Sequence, residues 1–396
     1  MKGHIEVADI FRVYGKGYRE THAGKMPLRH HKAMNAIEVC RTSVLGGHKD
    51  ECDTCEAIKI SYNSCRNRHC PKCQCLDKER WLESRKQEVL PVNYFHVVFT
   101  KPSELSPLSL RNQAVSYSIL FKASSETIKE LSADINHLGA LPGYIGILHT
   151  WSQTLIHHPH IHYIVTGGGL SKDGKRWISC KNDFFIHVKV LSHVFRGKYL
   201  YYLKKAYQEG KLVFPGKIKD LASEECFNNL CSELYKKEWV VYCKPPFKYP
   251  EDVIDYIGRY THRVAITNNR IEKSEDGKVT FKYRDRQDND KVKSMSLDAS
   301  EFVRRFLYHI LPDGFMKIRQ YGILSNRHKS EKLQICRDIL GVKQEESKHK
   351  KGKESWEDLL YRITGTDPRL CPYCKKGRMV RKQKIHPLKA RSPPAG

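Results

Sequence analysis

The sequence has no long apolar run. No stretch of it approaches the roughly 20 residues that a helix needs to span a bilayer, so nothing in it reads as a membrane-spanning segment. Residues 1–20 lack the apolar centre of a secretory signal, which argues against export. No segment recurs at a fixed period, which sets aside solenoids and propellers. Acidic side chains are in short supply as well: 44 Asp and Glu stand against 70 Lys and Arg, a formal charge of +26. The basic excess runs through the whole chain instead of along one amphipathic helix. It points to a polyanionic partner, nucleic acid before membrane. A length of 396 residues leaves room for two or three domains with cores of their own. The expectation is a cytoplasmic, nucleoid-associated protein with no membrane partner.

Cysteine, by contrast, is plentiful and clustered. Seven of the 14 cysteines fall between Cys40 and Cys75, and two more form Cys371-x-x-Cys374. In a reducing compartment, paired Cys-x-x-Cys knuckles indicate metal and not disulfides. The first choice for one tetrahedral Zn²⁺ is Cys52, Cys55, Cys70 and Cys73, two knuckles separated by the strand-like Ile58, Ile60 and Tyr62. Cys40, His48, Cys65 and His69 would make a possible second site. With enough thiolates to close its shell, such a zinc is structural. Arg66, Arg68, Lys72 and Lys78 suit a nucleic-acid-binding module. The Cys371 and Cys374 pair cannot complete a site alone; Cys336 and His386 are candidates to join it, and a plain surface pair is the alternative.

Periodicity supplies the element order. Residues 1–38 read as a basic helical segment and 76–89 as a charged helix. Residues 94–100, aromatic and β-branched, read as a strand, and 108–131 as a helix. Residues 143–151 and the segment around His160 read as two strands joined by a short link. They are expected to pair antiparallel at the centre of a sheet, the second ending in a glycine turn at Gly167, Gly168 and Gly169. Residues 188–238 read as mostly helical, with Tyr199, Tyr201, Tyr202, Leu203 and Tyr207 as an aromatic core stripe, and 239–243 as a strand. A helix starts at Pro250-Glu251-Asp252. Strand-like pieces follow at 263–271, 279–284 and 292–297, then helices at 300–311 and 326–340. Residues 343–353 read as a charged linker and 378–396 as a disordered basic tail.

The chemistry sits in two places. In His158-Pro159-His160-Ile161-His162, side chains at i and i+2 share one face of a strand. His160 and His162 can therefore grip one metal ion while Ile161 packs into the core. A third ligand is required; Gln153 is the choice by spacing, with His158 and His262 as competitors. Two imidazoles and an amide would accept Mg²⁺ or Mn²⁺, although no acid lies close in sequence. Downstream, Tyr256 and Tyr260 stand one helical turn apart, with Arg259, His262 and Arg263 between and after them. A phenol with pKa about 10 is a poor nucleophile toward a phosphodiester. It requires the phosphate charge neutralised, the phosphorus polarised and its own oxygen held in line. Arg259 and Arg263 can do the first, and an ion on the histidines the second.

These stretches, together with Cys65-Arg66-Asn67-Arg68-His69-Cys70-Pro71-Lys72-Cys73, residues 94–100, Gly167–Gly169, residues 256–266 and residues 321–328, resemble the rolling-circle transposases of the insertion-sequence-ninety-one family. The likeness spans roughly residues 35 to 375. It implies a two-tyrosine His-hydrophobic-His nuclease that cuts single-stranded DNA. His160 and His162 would be its metal pair. Tyr256 and Tyr260 would be nucleophiles that form a 5′-phosphotyrosyl link and free a 3′ hydroxyl. The expected fold class is α+β: a zinc-binding, DNA-recognition module at 1–88, then a nuclease domain at 89–275 with a central antiparallel sheet flanked by helices. That domain carries a helical insertion near 188–238. A basic DNA-binding extension at 276–342 and a linker with a basic tail at 343–396 complete the chain. Two other readings remain open. A replication initiator or relaxase would share the chemistry, and a non-catalytic zinc-dependent DNA-binding protein would keep the histidines and tyrosines as core.

Overall fold

The computed structural model describes residues 5–181, 185–247, 252–253, 256, 258, 264–342 and 354–388. The chain forms two compact units, neither continuous in sequence. One comprises Met1–Arg80, His262–Ile310 and Glu345–Gly396; the other comprises Trp81–Thr261 and Leu311–Gln344. These limits differ from the linear division at 88, 275 and 342. The expected 276–342 extension is split at residue 310 between the units. The expected linker at 343–353 lies outside the described residues.

The first unit begins with helices Val7–Thr21 and Leu28–Glu38, which pack on each other. Helix Ala299–Tyr308 comes back onto the first of them through Phe11 and Phe306, whose rings meet edge to face at 5.2 Å. That contact is why residues near 300 belong to the N-terminal unit. Ile271–Glu275, Lys278–Asp285 and Lys291–Asp298 form an antiparallel sheet with Lys278–Asp285 in the middle. Val279 and Phe281 alternate inward along it, and Phe281 packs on Phe302. Before this sheet, the expected strand at 263–271 is instead a 3₁₀ turn, Asn268–Arg270, in its described part. Polar side chains explain the break: Thr267 bonds Asn269, and Asn268 Oδ1 accepts from the Val7 N–H at 3.2 Å.

A second three-stranded sheet in this unit has Gly47–Cys52 at its centre, with Ile58–Tyr62 on one side and Met379–Ile385 on the other. Much of the segment expected to be a disordered tail is therefore a strand. Its side chains are mostly solvent-exposed, so it carries no apolar alternation for a sequence reading to detect. The backbone pairing holds it. Residues 389–396 lie outside the described residues.

The second unit is built on a mixed-length antiparallel sheet. Its order is Ile318–Gly322, Leu141–Trp151, His157–Leu170, Tyr94–Thr100 and Val241–Phe247, with Trp177–Ser179 beside the far end of His157–Leu170. The expected pairing of the two central strands is present. Phe95, Val97, Phe99, Leu148, Ile161, Tyr163 and Val165 enter the main core, which helices Gln113–Ala133 and Val188–Gln208 cover with Tyr117, Leu120, Phe121, Phe195 and Tyr199. The helices near 188–238 thus contribute to this core, through Phe195, Tyr199, Phe227 and Leu234. Of the tyrosine stripe, Tyr199 and Leu203 are buried while Tyr201 is exposed. On the opposite face, Tyr94, Ile145, Ile147 and Ile164 pack with Val253, Ile323, Leu333 and Cys336. The architecture is α+β, as expected.

Gly167, Gly168 and Gly169 are not a turn. The strand runs through them to Leu170. A Cβ on Gly168 would meet the Ile178 carbonyl oxygen at 2.6 Å, and one on Gly169 would meet the Leu141 carbonyl carbon at 2.5 Å. Glycine is needed here for close approach of three strands. At the sheet edge Gly322 has φ +64°, and a Cβ there would lie 1.8 Å from the Pro142 oxygen. Gly322→Ala is expected to cost at least about 1–2 kcal/mol from the left-handed backbone alone, with the collision in addition. Denaturant unfolding measures this, and an unchanged midpoint would contradict it.

Candidate functional site

The site grows from the register of one hairpin. Strand Leu141–Trp151 turns through residues 152–156 into His157–Leu170. Ser152 N–H donates to the Ile156 oxygen at 2.9 Å, and the N–H groups of Thr154 and Ile156 donate to Ser152 Oγ at 3.3 and 3.1 Å. That closure sets His149 opposite His160, and Ile147 opposite His162. Residues directly opposed in an antiparallel pair point to one side of the sheet. His149, His160 and His162 therefore converge, and one nitrogen of each lies within 4.8 Å of the others. Ile161 and Tyr163, on the other side, are fully buried in the core. His149 and His162 are buried, and His160 is half-buried.

Neighbouring groups fix the ring orientations. His160 Nδ1 lies 2.7 Å from the His158 carbonyl oxygen; a carbonyl only accepts, so Nδ1 carries the proton and Nε2 keeps its lone pair. On strand Tyr94–Thr100, His96 sits one position past His162 on the same face. His96 Nε2 is 2.8 Å from His162 Nδ1. Tyr256 Oη lies 2.8 Å from His96 Nδ1 and 3.1 Å from its Nε2. Burial, with repulsion from Lys244 and His160, pushes the His96 pKa down to about 3, so the ring is neutral at physiological pH. The phenol of Tyr256 is thus linked through His96 to the three-histidine cluster.

The cluster brings together the expected His160 and His162, and adds His149, which the sequence reading placed on a strand without a role. The signal for it was the short link, which forces a hairpin partner for His160 from just before residue 152. A register shift between His149 and Trp151 hid which residue that would be. Gln153, the expected third ligand, lies in the 152–156 turn. His158, a competitor, has its ring 5.2 Å from that of His160 but is not one of the converging three. Among the described residues no carboxylate joins them. Tyr256 is described, whereas Arg259, Tyr260, His262 and Arg263 lie outside the described residues.

The cysteines group differently from the expected sets. Cys40, Cys65, Cys70 and Cys73 converge, as do Cys52, Cys55, Cys371 and Cys374. The expected set of Cys52, Cys55, Cys70 and Cys73 is therefore corrected. The hairpin of Gly47–Cys52 and Ile58–Tyr62 carries the first knuckle at its tip, while its base is held to Cys40 and Cys65 by Arg41 N–H to Asn63 O. Five or six strand residues put about 15–20 Å between tip and base, too far for one ion to join both. His48 and His69 belong to neither group. His48 Nε2 is 3.2 Å from the Asp50 carboxylate, and the His69 N–H donates to Asn67 Oδ1 at 2.9 Å. In the first group the Sγ atoms of Cys40 and Cys65 each lie 3.5 Å from Cys73, and Cys40 is 3.7 Å from Cys70. Thiolates about 2.3 Å from a tetrahedral Zn²⁺ stand about 3.8 Å apart, so this group fits the ion.

No helix among the described residues is long and apolar enough to cross a membrane. Residues 10–101 match the family described as "Transposase zinc-binding domain", and residues 143–332 match the family described as "Putative transposase". The first match holds the Cys40, Cys65, Cys70 and Cys73 group, and the second holds His149, His160, His162 and Tyr256. The chain is 47% identical over 375 residues to a Sinorhizobium fredii protein named "Putative transposase y4qJ", covering 95% of this chain and 94% of that one. It is 27% identical over 303 residues to the transposase for insertion sequence element IS801 of Pseudomonas savastanoi pv. phaseolicola, covering 75% of this chain and 70% of that one. No solved structure matches. With 47% identity over nearly the full length of a protein named as a putative transposase, and both family matches in order, the chain belongs to the insertion-sequence-ninety-one family of transposases.

Proposed function

We propose that this transposase cuts and rejoins single-stranded DNA by tyrosine attack, in rolling-circle-type transposition carried out in the cytoplasm at the nucleoid. The observation that carries this reading is Tyr256 Oη at 2.8 Å from His96 Nδ1, with His96 in turn 2.8 Å from His162 in the three-histidine cluster. The Tyr256 ring packs on Phe247 at the edge of the core, while its Oη is turned to the imidazole that leads to the three converging ones.

His149, His160 and His162 would hold one divalent ion, with Gln153 as a further oxygen donor. When bound there, Mn²⁺ or Mg²⁺ supplies polarisation of the scissile phosphate and relief of charge on the departing 3′ oxygen. The nitrogen-rich donor set suits Mn²⁺ better than Mg²⁺. If His162 presents Nε2 to the ion, its Nδ1–H donates to His96 Nε2. Neutral His96 then carries its proton on Nδ1 and donates it to Tyr256 Oη. That hydrogen bond aims the phenol and steadies the negative charge on its oxygen as it attacks. The Tyr256 Oη–P bond forms and the P–O3′ bond breaks. The phenol's proton passes to solvent, and the departing 3′ oxygen takes one up from solvent to leave as a hydroxyl, so the protons balance. The phosphotyrosyl link conserves the phosphodiester, so a second 3′ hydroxyl can displace the tyrosine without water or a nucleotide cofactor. Tyr260 would serve the second strand, and Arg259 and Arg263 would neutralise phosphate.

The test uses a labelled single-stranded oligonucleotide carrying the element's terminal sequence, in Mn²⁺, with adducts read on a denaturing gel. A metal-dependent adduct is expected for the wild type and is expected to vanish in Tyr256→Phe/Tyr260→Phe. No adduct from folded protein that still binds the oligonucleotide would sink the proposal. His96→Gln is expected to slow adduct formation by about 10- to 100-fold, the worth of a hydrogen bond to a charged group, with oligonucleotide affinity unchanged. His149→Ala is expected to weaken Mn²⁺ binding at least about 10-fold by calorimetry, no less than loss of a supporting partner would. Affinity equal to the wild type would remove His149 from the site, and Gln153→Ala alongside would show whether the amide takes its place.

A further inference from the structure

Cys371 and Cys374 fall outside the matched zinc-binding segment of residues 10–101, yet the structure brings them to Cys52 and Cys55. We propose that these four cysteines form a second structural zinc site, whose ligands come from opposite ends of the chain and which locks the C-terminal segment onto the N-terminal module.

Several independent features point to a metal and not to chance proximity. The Sγ atoms of Cys52 and Cys374 are 3.7 Å apart, as are those of Cys55 and Cys371. That is the edge of a tetrahedron of thiolates about 2.3 Å from a central Zn²⁺, about 3.8 Å, and far from a disulfide bond. All four cysteines are free. The two knuckles have the same construction. Each closes with an N–H bonded back to the first cysteine's carbonyl, Glu56 to Cys52 at 3.1 Å and Lys375 to Cys371 at 3.1 Å. Each then places that residue in the left-handed region, Glu56 at φ 57° and Lys375 at φ 60°. Backbone N–H groups point at the sulfurs. Those of Thr54 and Cys55 donate to Cys52 at 3.4 and 3.5 Å, and that of Gly377 donates to Cys374 at 3.4 Å. Such donors offset negative charge on thiolates and do little for neutral thiols.

The surrounding chain is fitted to this closure. A Cβ at Gly377 would lie 2.5 Å from Cys52 Sγ and 2.5 Å from Thr54 Oγ1, so the knuckles meet only because residue 377 has no side chain. The Arg378 N–H donates to Asp53 Oδ1 at 2.8 Å, and the Asp53 N–H donates to the Arg378 oxygen at 3.1 Å. Strand Met379–Ile385 then pairs along Gly47–Cys52 as far as Gly47. With its side chains mostly exposed, this strand has little apolar surface to hold it, so a metal closure supplies what a core does not. The consequence is an order of assembly. The Cys52 and Cys55 knuckle stays open until residues 371–374 have been made, and a C-terminally truncated transposase lacks this site whatever else it folds.

The test counts thiolate-bound zinc in the full-length protein by its release with a mercurial thiol reagent, which leaves histidine-bound metal in place. Two zinc ions per chain are expected for the wild type. One is expected for Cys371→Ser/Cys374→Ser and one for Cys40→Ser/Cys65→Ser. Two ions retained in Cys371→Ser/Cys374→Ser, or one in the wild type, would overturn the proposal. If that double variant does not fold, alkylation of the wild type decides. Cys52, Cys55, Cys371 and Cys374 are expected to be protected together and to become reactive together when zinc is chelated. Ready alkylation of Cys371 and Cys374 in zinc-loaded protein would overturn the proposal.

Discussion

The register of one hairpin governs the candidate centre. Because residues 152–156 close the chain so tightly, His149 has to lie opposite His160, and the pleat then turns His162 to the same side. A slip of one residue would exchange the two faces: the imidazoles would enter the apolar core and Ile161 and Tyr163 would face the centre. The burial of those two residues against Phe99, Phe121 and Phe195 resists that slip. Core packing on one face of the strand is thus what aims the three imidazoles on the other. The glycines at 167–169 belong to the same constraint, since they let the strand continue between its neighbours at backbone contact distance.

Around this frame the site is assembled from groups distant in sequence. His96 comes from the next strand and Tyr256 from a helical segment far downstream, and burial keeps His96 neutral between the phenol and His162. The first unit solves a different problem. In the sheet centred on Gly47–Cys52 the strands are short and the outer one is exposed, and two groups of four thiols stand where a larger module would have more apolar core. The separation of tip and base in the 47–62 hairpin keeps those groups apart and decides which cysteines meet.

The parts of this that were legible in the sequence were those with local cause. The strand at 94–100 followed from an aromatic and β-branched run, and the pairing of the central strands from their short link. The shared face of His160 and His162 followed from the two-residue period. The parts that were not legible depend on register or long-range pairing. His149 required the position of a register shift, and the partner of Cys371 and Cys374 required knowing that residues 379–385 pair with residues 47–52. Strand 379–385 shows no alternation because neither of its faces is buried, so composition alone read it as tail. Residues near 300 were assigned by sequence order to an extension, whereas Phe306 packs on Phe11.

The central claim is that the three-histidine face and the tyrosine beside it form one DNA-cutting centre. Its most direct test is mass spectrometry of the peptide that retains nucleotide after cleavage of the single-stranded terminal sequence and proteolysis. The expected result is a nucleotide-bearing peptide whose modified residue is Tyr256 or Tyr260, absent from His160→Ala/His162→Ala protein that still binds the DNA. Modification at any other residue, or DNA cut with no modified peptide, would contradict the account.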